Sequence, residues 1–270
     1  MAAWEKILID PELGRFILPT GVDFANPTSV HVRWHYARAH DAGGHEEPRE
    51  VTATHAALDL PATTRMRIED FTPAEFAQVD DLDVGPSSVT LTLQDGVDGI
   101  VAAQGACPTI DCGTKRLQIL TTAQSFVLSG LRLIRCRGVS IVHPASVSED
   151  DIPPTVIGED CHFSSRDHYT FDGQPFGGNF AVLMVPRQKW SLRRCVSDGV
   201  FTHTDTVLDI ADSVITAFRP TAFAIRPLGT GDLLSLRRST VLGRVKCHAL
   251  TCGSRLDQGP YEVSGQVDED

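Results

Sequence analysis

The feature that most constrains this chain is a copy of itself. Trp190-Ser191-Leu192-Arg193-Arg194-Cys195-Val196-Ser197-Asp198-Gly199 returns as Leu234-Ser235-Leu236-Arg237-Arg238-Ser239-Thr240-Val241-Leu242-Gly243, displaced by 44 positions. Shorter echoes, Leu131-Arg132-Leu133-Ile134-Arg135-Cys136 and Leu208-Asp209-Ile210-Ala211-Asp212-Ser213, alternate apolar and polar residues and close on a small Cys or Ser. Period-two alternation is the signature of a strand, and self-similar strands at a fixed interval mean units that bury their apolar faces by stacking. A β-sandwich also has many short strands, but it gives no reason for the Arg-Arg-Cys and Arg-Arg-Ser copies to match.

Taking the small residue after each strand as a register mark gives Cys112, Cys136, Cys161, Cys195, Ser213 and Ser239, spaced by 24, 25, 34, 18 and 26 residues. These are the lengths of solenoid turns, and the 34-residue turn has room for an inserted loop at 164–180. Strand-like runs at 89–93, 117–120, 126–133, 190–192, 207–210 and 233–236 fit the same scheme. The expectation is an all-β chain with a parallel β-helix over 86–258 and an acidic tail at 259–270. Ahead of it, strand-like runs at 6–10, 15–19 and 30–38 suggest a small β-rich cap over 1–85. A Thr cap and early Pro in Thr72-Pro73-Ala74-Glu75-Phe76 predict one short helix there. Asp80-Asp81-Leu82-Asp83-Val84-Gly85-Pro86 reads as the break between the two regions.

Two stretches carry a resemblance. Ile9-Asp10-Pro11-Glu12-Leu13-Gly14-Arg15-Phe16, with Val30-His31-Val32-Arg33-Trp34-His35-Tyr36 and the Gly43-Gly44 loop, is one; the segment from Leu234 to Val245 is the other. They resemble a bacterial family of right-handed, pectate-lyase-like β-helix proteins, mostly uncharacterised, some of them associated with phage-tail-like contractile particles. The match covers under a quarter of the chain, and its motifs carry no known chemistry. The family's Tyr-x-Tyr-Gly run stands here as Trp34-His35-Tyr36-Ala37, and Lys246-Cys247-His248-Ala249 departs from it after Val245. The resemblance implies a right-handed parallel β-helix and a place in a phage-tail-like or cell-associated assembly.

Charge narrows the partners. A net charge of -11 opposes nucleic acid and anionic membranes, both of which require a basic face. The start, Met1-Ala2-Ala3-Trp4-Glu5-Lys6, lacks a basic segment followed by an apolar one, so synthesis in the cytoplasm without a signal peptide and without membrane insertion is expected, with incorporation in a larger particle afterwards. Seven cysteines in such a chain read as reduced, buried thiols.

Chemistry concentrates in Ser164-Ser165-Arg166-Asp167-His168-Tyr169-Thr170-Phe171-Asp172-Gly173, within the proposed insertion, because loops on a rigid scaffold are where binding groups gather. On an enzyme reading, Asp167 and Asp172 are an acid/base pair, Arg166 polarises a substrate carboxylate and His168 assists. Tyr169 and Phe171 then stack on a sugar ring, with His203 as a further substrate contact. The competing reading is a structured loop that packs on a neighbouring turn or subunit. His162, His168 and His203-Thr204-Asp205 hold metal-compatible donors at unequal register, and Cys107/Cys112 and Cys247/Cys252 lie near opposite ends of the solenoid, so no metal site is expected. Asp150-Asp151 reads as a solvated loop pair. Leu228-Gly229-Thr230-Gly231-Asp232 lacks the Lys of a phosphate loop, and Gly-x-Ser-x-Gly is absent. The expectation is a structural or interaction module without cofactor, binding protein or glycan and forming homo-oligomers, with a polysaccharide lyase or glycoside hydrolase as the alternative.

Overall fold

Period-two alternation places every second side chain on one face of a strand, and this chain uses that property three times in each circuit. The computed structural model describes residues 49, 51–58, 60, 64–71, 78–103, 107–145, 152–165, 181–217, 222–227 and 229–250, and the backbone alone of 8–10, 15–17, 251–253, 261–263 and 267–268. Two units are distinguished, 1–36 and 37–270. In the first, Leu8–Asp10 and Arg15–Ile17 form an antiparallel pair.

The second unit is all-β and is built from three long sheets of nine, seven and nine strands. Successive strands visit the first, second and third sheets in turn and return to the first one rung along, which is compatible with a parallel β-helix. The first-sheet strands His55–Leu58, Gly99–Ala102, Ser125–Ser129, Thr155–Glu159, Lys189–Arg193, Val207–Ala211, Leu233–Arg237 and Ala249–Gly253 begin circuits 1 to 8. All pairs between these circuits are parallel. Parallel stacking thus starts at His55 and takes in part of the stretch that the sequence assigns to a separate cap. Asp80 to Pro86 is not a break. Val79–Val84 is an edge strand that folds back antiparallel on Ser88–Leu93, with the Gly85 N–H bonded to the Ser88 carbonyl at 2.8 Å. Its exposed Asp80, Asp81 and Asp83 suit an edge, because charge discourages a foreign strand from pairing there. The predicted helix at Thr72 lies outside the described residues, and the run 126–133 is two strands, split by Gly130 at φ 72°.

The core is a set of in-register columns. Phe126, Val156, Trp190, Leu208, Leu234 and Leu250 stack on the first sheet, each at most 4% exposed. Leu128, Gly158, Leu192, Ile210 and Leu236 stack beside them. Gly158 is a size compromise: a Cβ there would lie 2.9 Å from Leu192 Cδ2. Leu133, Phe163, Ser197, Ile215 and Val241 line the second sheet, and Val139, Val182, Val200, Ile225 and Val245 the third. Burying each large apolar side chain is worth about 1.5–3 kcal/mol.

Corners cost more than strands, because the chain must turn through left-handed backbone. Between the first and second sheets the turning residues are Gly130, Asp160, Arg194, Asp212 and Arg238, with φ from 47° to 72°. Four of these five are not glycine, and each such residue costs roughly 1–2 kcal/mol. Side-chain bonds offset the cost. Arg194 grips Asp160 through Nε and Nη2 at 2.7 and 3.0 Å, and Arg238 grips Asp212 at 2.6 and 2.7 Å. Half-buried Arg49 places its Nε 3.9 Å from Asp160, and its guanidinium occupies the space that a side chain at 130 would need. Each turning N–H from Gly130 to Asp212 also bonds to the carbonyl before the turning residue of the next circuit, at 3.0–3.1 Å.

The register marks Cys161, Cys195, Ser213 and Ser239 follow this corner and do stack: the Ser213 hydroxyl accepts from Cys195 N–H and that of Ser239 from Ser213 N–H. Cys112 and Cys136 belong instead to the second corner, between the second and third sheets, where both are free thiols and the neighbouring Cys136, with burial, pushes the Cys112 thiol up. The spacing of 25 residues from Cys136 to Cys161 is therefore not a circuit length. Circuits 4 to 7 advance by 34, 18 and 26 residues, so the 44-residue copy spans two circuits.

The third corner, leading back to the first sheet, has the buried Gln188, Thr206 and Asp232 in line. Gln188 donates to the Ile141 carbonyl at 2.7 Å and accepts from Trp190 Nε1 at 2.9 Å. Asp232 accepts from the His248 N–H at 3.1 Å, yet burial holds its carboxyl above the ordinary range. Asp111 is the contrast. Burial pushes it up, but hydrogen bonds from Arg135 and Arg65 outweigh this and hold it below the ordinary range. The Arg238 bond does the same for Asp212.

These opposite shifts predict opposite pH dependences. Asp111 and Asp212 contribute stability above the unfolded carboxylate pKa of about 3.9, and it is lost as pH falls through their lower folded values. Asp232 favours the folded state only while protonated, so its contribution is lost as pH rises through its folded value. Asp232→Asn is expected to raise the urea midpoint at pH 7 and to leave it unchanged at pH 3. Asp111→Asn is expected to lower it at pH 7. Urea titrations at both pH values check the pair.

Candidate functional site at the second corner

The second corner is where circuits differ most in length. In circuits 5 and 7 it is tight, closed by Gly199 at φ 123° and Gly243 at φ 134°. A Cβ on Gly243 would lie 2.5 Å from that of Ala217, so the tight turn requires glycine. In circuits 4 and 6 the same corner is enlarged: the chain leaves the second sheet at Ser164 and Thr216 and re-enters the third at Val182 and Phe223. The two enlarged corners flank the tight corner of circuit 5.

Asp198 sits in that tight corner, 4% exposed. Its Oδ2 accepts from Ser164 Oγ at 2.8 Å, Ser165 N–H at 2.9 Å and Ser165 Oγ at 3.2 Å. Its Oδ1 lies 3.5 Å from Thr216 Oγ1. One buried carboxylate thus holds the departure points of both insertions. The Asp198 N–H bonds to the Phe163 carbonyl, and the Gly199 carbonyl accepts from Ala181 and Val182 N–H where the longer insertion returns. Each donor to this carboxylate lies in a neighbouring circuit, so the anchor depends on the stacking register.

The insertion predicted at 164–180 is where the sequence places it, but Arg166, Asp167, His168, Tyr169, Phe171 and Asp172 lie outside the described residues, as do Asp150 and Asp151. His203 is described and sits elsewhere, in the turn after the third sheet. Its Nδ1 accepts from Thr204 N–H at 2.8 Å and its carbonyl from Thr206 Oγ1 at 2.9 Å. His162 lies on the second sheet, so the structure does not unite the two histidines. Among the described residues no group of three or more His, Cys, Asp or Glu side chains could hold a metal ion.

Cys107, Cys112, Cys136, Cys161, Cys195 and Cys247 are free and buried. Burial and the neighbouring Asp232 raise the Cys247 thiol to about 12, and burial with the Cys161 contact raises Cys195, so these are packing groups and not nucleophiles. Among the described residues no helix is long and apolar enough to cross a membrane. Sequence reasoning missed Asp198 as an anchor; its only signal is that Asp198-Gly199 stands where the second copy has Leu242-Gly243, a polar residue in place of an apolar one. Comparison of the chain with protein-family models, curated proteins and solved structures returns no match.

The anchor makes a clear prediction. Asp198→Ala takes this acceptor from the buried Ser164 hydroxyl and from half-buried Ser165, at a cost of about 1–3 kcal/mol. Limited proteolysis of the variant is expected to cut within 166–180 faster than in the parent, with the strands still protected. Equal cutting rates would remove Asp198 from this role.

Proposed function

We propose that the chain is a right-handed parallel β-helix serving as a structural or interaction module of a phage-tail-like or cell-associated assembly, presenting the insertions of circuits 4 and 6 to a protein or glycan partner. The observation that supports this reading is the shared anchor: Asp198 holds the feet of two insertions side by side on a corner fixed by stacked strands. Loops fixed at their feet by a rigid scaffold are suited to recognition, since less order has to be gained on binding. The described polar groups near this corner serve to fix the chain. Asp198 is saturated by three donors to one oxygen, and the neighbouring Ser197 Oγ bonds to the Gly199 carbonyl at 3.3 Å. Association of copies belongs to the same proposal, because a solenoid has open strand edges at its ends.

The test is a panel of glycans offered to the purified chain and to Asp167→Ala and Asp172→Ala, with release of reducing ends or unsaturated products followed. The proposal expects no product from any of the three proteins, and a mass that rises with concentration in sedimentation. Turnover by the parent that is lost in either variant would replace it with a lyase or hydrolase whose site is the longer insertion.

A further inference from the structure

At the N-terminal end of the stack each sheet stops in an edge strand: His55–Leu58 in the first, Arg65–Arg67 in the second and Val79–Val84 in the third. The last is the longest, with six residues against four and three, and of these it alone runs antiparallel to its neighbour. The register shows which of its backbone groups are used. The Gly85 N–H bonds to the Ser88 carbonyl, and hydrogen-bonded positions alternate in an antiparallel pair, so Asp83 and Asp81 turn their N–H and C=O towards Ser88–Leu93. Leu82 and Val84 therefore turn theirs to the open edge.

Side chains divide in the same way. Leu82 and Val84 lie on the core side, paired with the buried Leu91 and Val89, yet Leu82 is only half-buried and Val84 is 40% exposed. The apolar core thus reaches this edge and is left uncovered there. Asp81 and Asp83 lie on the outer side, opposite Thr92 and Thr90, and Asp80 precedes them at a register shift between Val79 and Asp81. All three carboxylates are exposed, and among the described residues none of them makes a hydrogen bond or an ion pair.

We infer that this edge accepts an extended basic segment of a partner protein as an added strand, one in which apolar residues alternate with Lys or Arg. The backbone of the added strand bonds to Leu82 and Val84, and its apolar side chains cover theirs. Its cations, on the other face, meet Asp81 and Asp83 across a strand spacing of about 4.8 Å. Carboxylates that turn away most strands thereby select this one. They also reject the same strand of a second copy, which sets acid against acid, so association of copies has to use another surface. Neither insertion takes part, and the inference goes beyond the function proposed above.

The experiment titrates the full chain into a short labelled peptide of alternating Lys and Val and follows fluorescence anisotropy. Comparators are a peptide of the same residues in two blocks, a peptide of alternating Glu and Val, and the Lys/Val peptide N-methylated throughout, which keeps its charge but has no backbone N–H to donate. The titration is repeated with the double variant Asp81→Asn/Asp83→Asn. Saturable binding of the alternating Lys/Val peptide alone is expected, weakened by added salt and weakened about tenfold by the double change, which is about 1.4 kcal/mol. Both aspartates are exposed, so the variant is expected to keep the circular dichroism of the parent. The N-methylated peptide decides the matter on the parent chain if it does not. Absence of saturable binding, or equal binding by the folded variant, would overturn the assignment. Equal binding of the block or N-methylated peptide would overturn it as well and reduce the effect to attraction between a cation and a chain of net charge -11.

Discussion

The corner between the first and second sheets is the constraint on which the rest of the structure depends. Strands stack readily once aligned, but each circuit must first turn through left-handed backbone, and here four consecutive turns do so with Asp or Arg instead of glycine. Asp160, Arg194, Asp212 and Arg238 alternate in sign along the stack, and each arginine holds the carboxylate of the preceding circuit with two hydrogen bonds. The side chains that occupy the turn therefore supply the bonds that compensate for it. A glycine column would relax the backbone and contribute no such bonds. At position 130, where glycine does occur, Arg49 fills the vacated space and extends the same series to Asp160.

Alternation explains why the internal copy spans two circuits and not one. A ladder of opposite charges repeats only after an acid and a base have both appeared. Circuits 5 and 7 carry Arg193-Arg194 and Arg237-Arg238, whereas circuits 4 and 6 carry Asp160 and Asp212. The second corner follows the same beat, because the arginine circuits turn tightly at Gly199 and Gly243 and the acidic circuits carry the insertions. Insertions on alternate circuits leave a tight corner between them, and Asp198 uses that place to anchor both. The repeat that first marks the chain as stacked is in this way connected to the loops it presents.

Much of the stack was legible because the first sheet alternates cleanly: the runs at 190–192, 207–210 and 233–236 lie inside observed strands, and the 34-residue interval does hold the long insertion. The second sheet was not legible, since strands as short as His162–Phe163 and Val196–Ser197 show no period. Two kinds of small residue also looked alike. Cys136 and Cys161 fall at equivalent sequence offsets from strands yet close different corners, and only strand pairing separates them. Acidic Asp80 to Asp83 suggested a loop because charge was read as solvent exposure, while an edge strand exposes its side chains too. The interval that holds the 164–180 insertion was legible, but the carboxylate at its foot was not, because Asp198 belongs to another circuit.

The account stands or falls on whether the alternating corner charges stabilise the stack as pairs. The most direct measurement is a double-mutant cycle at Asp160 and Arg194, by urea unfolding of Asp160→Asn, Arg194→Gln and the double variant, with the inverted pair Asp160→Arg/Arg194→Asp beside them. Coupling of about 1 kcal/mol or more is predicted, allowing for the partial exposure of Arg194, with the inverted pair less stable than the parent because its new neighbours Arg49 and Asp212 repeat its charges. Additive single effects, or an inverted pair as stable as the parent, would contradict the ladder and leave the corners to backbone bonds alone.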